Sequence, residues 1–199
     1  SGKGSEFEFY SVSIGNGGTA ASMDVTKKGG YPIWYINNRN VKDAVISLNE
    51  ASRNASKFLN DNDFEQLELF ESAQYNNIGV FTFVKTIDGV RIYPDSIKVK
   101  VALDNGQIVG FAADEYLRNH HDRETAKPTI SIEKAKGYTS PNLKVMEERQ
   151  AVIVNDLNEE VLCYEFLGMM GEDTFRIFIN EQNGKEEKVE RLKSTEQLY

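Results

Sequence analysis

Between positions 93 and 111 (YPDSIKVKVALDNGQIVGF) apolar and polar residues alternate with a period of two. Ile97, Val99, Val101 and Leu103 fall on one side, and Lys98, Lys100 and Ala102 on the other. That alternation marks a strand with one buried face. Asp104-Asn105-Gly106 follows, and because Asn and Gly tolerate positive φ, a tight turn and a return are predicted. Residues 6–14, 31–37, 64–75, 78–86, 143–151, 161–167 and 174–180 also read as strands, and 185–192 as a charged edge strand. The strand at 78–86 is apolar on both sides, as a central strand would be. Val41, Ala44, Val45, Leu48, Ala51, Ala55, Phe58 and Leu59 recur at three- and four-residue spacing, which predicts one long helix over 41–59. A short helix is predicted over 130–138, where Ser131-x-x-Lys134 falls short of a capping box. Residues 20–28 fit no clear element, residues 118–128 (RNHHDRETAKP) read as a polar linker, and the tail as frayed.

The order helix, strand, strand, strand, turn occurs twice. Asn105-Gly106 and Asn183-Gly184 lie 78 positions apart (183 − 105), and the same offset carries Ile97 onto Phe175, Val99 onto Ile177 and Val101 onto Ile179. LELFE at residues 67–71 matches LKVME at 143–147, and Phe81-Thr82-Phe83 matches Tyr164-Glu165-Phe166. Phe7-Glu8-Phe9 looks like a third copy of that pair, and Tyr35-Ile36-Asn37 resembles Phe178-Ile179-Asn180. The expected organisation is a partial unit over 6–40, lacking its helix and first strand, then whole units over 41–126 and 127–199. Each whole unit is a three-stranded antiparallel sheet with one helix on a face, an α+β arrangement. Ser1 to Ser5, Gly/Ser-rich and without an initiator Met, is set aside as an appended segment.

The net charge of −8 argues against a partner made of nucleic acid or an anionic membrane, either of which asks for a basic footprint. No apolar run reaches the ~20 residues of a spanning helix, and no signal peptide is found. Cys163 is the only cysteine, so an internal disulfide and a Cys-rich zinc site are both ruled out. A lone cysteine within a strand is a small buried hydrophobe.

His120 and His121 are the only histidines. Neighbours on an extended segment point to opposite sides, so even with Asp122 or Glu124 they make a poor chelate, and no metal or cofactor site is assigned. Glu65, Glu68, Glu71, Glu147 and Glu148 flank apolar strand positions as solvated faces do, rather than facing one another across a cleft. Gly15-Asn16-Gly17-Gly18 lacks the Lys-Ser/Thr of a phosphate loop, and the Asn54-Ala55-Ser56 sequon falls inside the helix. No catalytic residue is assigned. Tyr31, Trp34 and Tyr35, with Tyr93-Pro94, form the more informative group. A partial sheet has an unpaired edge, and aromatics beside it suit a partner contact or strand addition. Tyr31, Trp34, Tyr93 and Pro94 are the candidate interface residues.

IFINEQNGKEEKV at 177–189 resembles the closing hairpin of the PepSY domain. GGYPIWYINNR (29–39), DGVRIYPDSIKVKVALDNGQIVGF (88–111), YLRNHH (116–121) and EVLCYEF (160–166) look like the C-terminal part of the YpeB family of spore germination proteins. The resemblance implies a non-catalytic protein, anchored by an N-terminal segment absent here, whose PepSY region lies outside the inner spore membrane. It also implies a partner, the cortex-lytic enzyme SleB, which the region would hold, stabilise or restrain. Two other expectations stand beside this one: a homodimer paired through sheet edges, and a peptidoglycan hydrolase.

Overall fold

The computed structural model describes residues 8–15, 20–123, 127–192 and 197–198. The appended segment 1–5, Phe7, most of the Gly-rich break and Glu124 lie outside the described residues. The chain divides into two compact units. The first holds residues 1–85, 95–120 and 197–199, and the second 86–94 and 121–196.

In the first unit, β1 (Phe9–Ile14), β2 (Ala21–Thr26) and β3 (Pro32–Asn37) form an antiparallel meander. Helix α1 (Leu48–Asp61) follows, then β4 (Leu67–Tyr75), β5 (Ile78–Ile87), β6 (Val90–Ala102), β7 (Ile108–Ala112) and α2 (Asp114–Asn119). The last two residues of β5 and the first five of β6 belong to the second unit. The strand order is β1-β2-β3-β7-β6, continuing through β5 to β4, which also pairs with β12 (Gln197–Leu198). The tail expected to fray thus ends in backbone pairing. Ala51, Ala55 and Leu59 of α1 press on Phe81, Phe83, Ile97, Val99, Val101 and Phe111, all nearly or fully buried. The Phe111 ring meets Phe58 edge-on at 5.5 Å.

The second unit repeats the plan. Its α3 (Ile132–Lys136) is followed by β8 (Lys144–Val154), β9 (Glu160–Met170), β10 (Asp173–Asn180) and β11 (Glu186–Leu192), paired in that order. The start of β6 runs parallel to β8, with Arg91 opposite Ala151. Ile130 and Ala135 pack on Tyr164, Phe166, Ile177 and Ile179. Each complete repeat therefore has four strands, because the return after the turn (β7 or β11) joins the three expected.

The turns agree atom by atom. Gly106 (φ +76°) and Gly184 (φ +75°) occupy the left-handed region. Each donates its N–H to a carbonyl four residues back, Ala102 or Asn180, at 2.8 Å in both cases. The side chains of Asn105 and Asn183 accept from the N–H two residues on, at 3.0 and 2.9 Å.

Three expectations change. The long helix starts at Leu48 rather than residue 41, because Ser47 caps it by accepting from the Glu50 N–H. The apolar residues before the cap lie in an irregular, bent segment whose Val45 and Ile46 N–H groups donate to the Leu103 carbonyl. Helix α3 covers only five residues, and Ser131 caps it through the Lys134 N–H, without the reciprocal bond of a capping box. The unplaced stretch is β2, so among the described residues the partial repeat has counterparts of the first three strands and lacks its helix and the return strand. Asn38, Leu103 and Glu181 each donate an N–H to a carbonyl near the start of the middle strand of their hairpin, on Ala20, Asn77 and Leu162 respectively. These bonds mark three copies of one hairpin.

Glycine at the turns carries a testable cost. Gly106→Ala and Gly184→Ala should each destabilise the protein by about 1–2 kcal/mol, the penalty of a left-handed residue with a side chain. A new Cβ at Gly106 would also sit 2.4 Å from the Asn54 amide nitrogen. Urea denaturation measures the change, and wild-type stability in both variants would show that neither turn constrains the hairpin.

Candidate partner-binding edge

Strand β1 is an edge: among the described residues it pairs only with β2. All six of its residues, FYSVSI, are exposed and none is charged. The register places Tyr10 opposite Val25, Val12 opposite Met23, and Ile14 opposite Ala21. Met23 in turn faces Tyr35, which packs on the α1 core. The face that is buried under α1 therefore runs outward through Met23 to an apolar row of Tyr10, Val12 and Ile14, which are 59%, 39% and 67% exposed. Edge strands are normally blunted by charge, proline or a covering element. β11, the edge of the second unit, follows that rule with Glu186, Glu187, Lys188, Glu190 and Arg191. β1 does not. Lys27 pairs with Glu8 at 3.2 Å beside the start of β1 and sits over the Tyr10 ring, and Asp24 of β2 stands opposite Ser11 on the other face.

The four candidate interface residues separate. Tyr31 is 54% exposed in the β2–β3 turn, where the Thr26 hydroxyl accepts its N–H. Trp34 lies on the sheet face opposite the Tyr10 row, and its indole N–H donates to Asp24 at 2.6 Å. Tyr93 belongs to the second unit. Its hydroxyl donates to Glu165 at 2.7 Å, its ring meets Phe178 edge-on at 5.6 Å, and the Arg176 guanidinium lies over it. Burial first, then the charge of Glu165, pushes that hydroxyl far above the ordinary tyrosine range. Pro94 is buried. Tyr93 and Pro94 thus sit within the structure, whereas Tyr31 and Trp34 lie beside the β1–β3 sheet.

The two histidines also separate. The supposed linker begins as helix α2, with His120 at its C-terminal cap. His120 stacks on Tyr116, and its Nδ1 lies 2.6 Å from the fully buried Asp95 carboxylate. His121 instead approaches Glu160 at 3.4 Å, and Arg123 grips the same carboxylate with two bonds. Among the described residues no group of three His, Cys, Asp or Glu side chains could hold a metal ion. Cys163 is fully buried, and burial, with Glu187 and Glu181 nearby, pushes its thiol up to about 12. Glu65, Glu68, Glu147 and Glu148 are exposed and Glu71 is half-buried. The Asn54 amide is used internally, donating to the Gly106 carbonyl.

Sequence reasoning missed the buried polar cluster around Tyr93. Arg176 pairs with Glu165 at 3.1 Å and with Glu190 at 3.2 Å. Glu165 and Arg176 stand in apolar strands buried on both faces, so alternation gave them no signal.

Tandem hairpins, each complete one carrying a helix, define an α+β protein of the PepSY type. A model of the family described as YpeB sporulation, PepSY1 and PepSY2 domains, matches residues 1–126. The chain is 48% identical over 198 residues to sporulation protein YpeB of Halalkalibacterium halodurans, covering 98% of this chain and 44% of that protein. It is 49% identical over 203 residues to sporulation protein YpeB of Bacillus subtilis, covering 100% and 45%. The solved Bacillus megaterium YpeB C-terminal domain superposes with a TM-score of 0.87 at 53% identity, over 98% of this chain and 87% of that one. The chain belongs to the YpeB family of sporulation proteins, and spans less than half the length of these two full-length relatives.

Tyr93→Phe should cost about 1–2 kcal/mol, because it leaves a Glu165 oxygen buried without its donor. Urea denaturation tests this. Unchanged stability would show that the hydroxyl bond is not structural.

Proposed function

We propose that this chain is a non-catalytic germination protein that binds the cortex-lytic enzyme SleB, stabilising or restraining it on the outer side of the inner spore membrane. The observation that carries the binding role is the uncharged edge β1, exposed along its whole length, with its row of Tyr10, Val12 and Ile14. An open edge offers backbone donors and acceptors to an added strand, and the alternate side chains supply selectivity. Tyr31 and Trp34 flank this surface as further contacts. Tyr93 and Pro94 are left out of it, being engaged inside the second unit.

A second reading is self-association through the same edge. Two β1 strands paired antiparallel about Val12 would set Tyr10 opposite Ile14 on one face, with no charges opposed. Size measurement of the purified chain, alone and with SleB, separates the two readings. A mixed complex supports the first, and a homodimer indifferent to the enzyme supports the second.

Val12→Lys places a protective charge on the edge. It should weaken the complex with SleB by about 2 kcal/mol or more, with the circular dichroism spectrum unchanged. Titration calorimetry reads the affinity. Wild-type affinity in a folded Val12→Lys variant would move the site away from β1.

A further inference from the structure

The two complete repeats differ in chemistry at the buried residue that follows the third strand. The residue after the third strand is Leu103 in the first and Glu181 in the second, at the 78-residue offset that superposes the turns. Both do the same backbone work. The Leu103 carbonyl accepts from the N–H groups of Val45 and Ile46, and the Glu181 carbonyl from those of Thr129 and Ile130, the segment leading into α3. Leu103 is 1% exposed and Glu181 is 0% exposed. A carboxyl therefore occupies a position that the other repeat fills with hydrocarbon. One of its oxygens accepts from the Gln150 amide at 2.9 Å, and the other, Oε1, is buried with no hydrogen-bond partner.

An ionised carboxylate in that position would leave a charged oxygen unsolvated, whereas the neutral acid removes the charge. We propose that Glu181 is a pH-sensitive latch, a buried carboxyl that holds α3 on its sheet as the neutral acid and loosens it on ionisation. The surroundings agree. Burial raises the carboxyl above its ordinary range, and the Gln150 bond offsets this only in part. The titratable and charged groups about it come from three elements. β9 supplies Cys163 and Tyr164, both of which sense its charge. α3 supplies Glu133, which acts on the same Tyr164. β11 supplies Glu187, which acts on the same Cys163 and is bonded by Asn180, Lys185 and Asn155. Gln150 of β8 is uncharged, and Lys185 is committed to Glu187 at 3.0 Å. Among the described residues no cation bonds to Glu181.

The sign follows from proton linkage. With the folded value raised, the unfolded chain releases the Glu181 proton first as pH rises. Its contribution is therefore fully present below the unfolded carboxylate value and is lost as pH climbs through the folded one. Replacement of Glu181 by Gln or by the Leu of the other repeat removes that loss.

The test compares Tm of wild type, Glu181→Gln and Glu181→Leu from pH 4 to pH 8. The gap of each variant over wild type should be smallest at pH 4 and widen with pH, Glu181→Gln exceeding wild type by about 3 °C or more at pH 8. A gap that does not change with pH overturns the latch. Infrared spectroscopy of the folded proteins reads the proton directly. At a pH above the unfolded carboxylate value, a protonated-carboxyl band present in the wild-type spectrum and missing from that of Glu181→Gln is expected, and its absence from wild type overturns the proposal even if a variant folds poorly. Amide exchange at Thr129 and Ile130, corrected for intrinsic rate, should accelerate with pH in wild type and not in Glu181→Gln.

Discussion

One carbonyl at the end of the third strand joins helix to sheet in both complete repeats. At Leu103 and again at Glu181 it accepts two successive N–H groups from the chain about to enter the helix. The N–H of the same residue is spent on the middle strand. One residue thus fixes the hairpin and the approach of the helix together, and the helix caps at Ser47 and Ser131 follow directly after the anchored pair. A helix of five residues would be marginal by itself. α3 persists because its entry is pinned and because Ala135 is buried on the sheet.

That constraint explains which parts of the fold were legible. Ile97, Val99 and Val101 alternate because the sheet has one face under a helix, and their counterparts 78 positions later repeat the pattern for the same reason. The turns were legible because left-handed backbone selects Asn-Gly. The helix start was not. Val41, Ala44 and Val45 continue the helical spacing, yet backbone bonds to Leu103 hold the segment just ahead of the cap out of the helix. Tertiary hydrogen bonds overrode periodicity there. β2 escaped because ASMDVT mixes polar and apolar residues on a half-exposed sheet, where burial imposes little alternation.

The candidate site was legible only as a principle. A partial repeat has to end in an edge, and aromatics near it drew attention to Tyr31 and Trp34. Which strand formed the edge depended on placing β2, because β1 becomes the outermost strand only when β2 lies inside it. Tyr93 entered the candidate set only as an aromatic grouped with Tyr31 and Trp34. It is instead the apolar wall of a buried charge cluster, and its hydroxyl serves Glu165. Polar residues on doubly buried strands, or just past the end of one as Glu181 is, leave no periodic trace, so Glu165, Arg176 and Glu181 become visible only through their partners, or through the lack of one for a Glu181 oxygen.

The contrast between the two sheet edges is the last constraint. β11 carries alternating charge, which resists pairing with a foreign strand because each added neighbour would have to desolvate or oppose it. β1 carries none, and its apolar row continues a face that is core elsewhere in the same unit. Strand edges of this composition are hazards when exposed at large, so a sequence that charges one edge and leaves another bare treats them differently. The absence of a helix from the first repeat acts in the same direction. Without an α1 counterpart, no helix among the described residues covers Tyr10, Val12 and Ile14, and the row stays exposed.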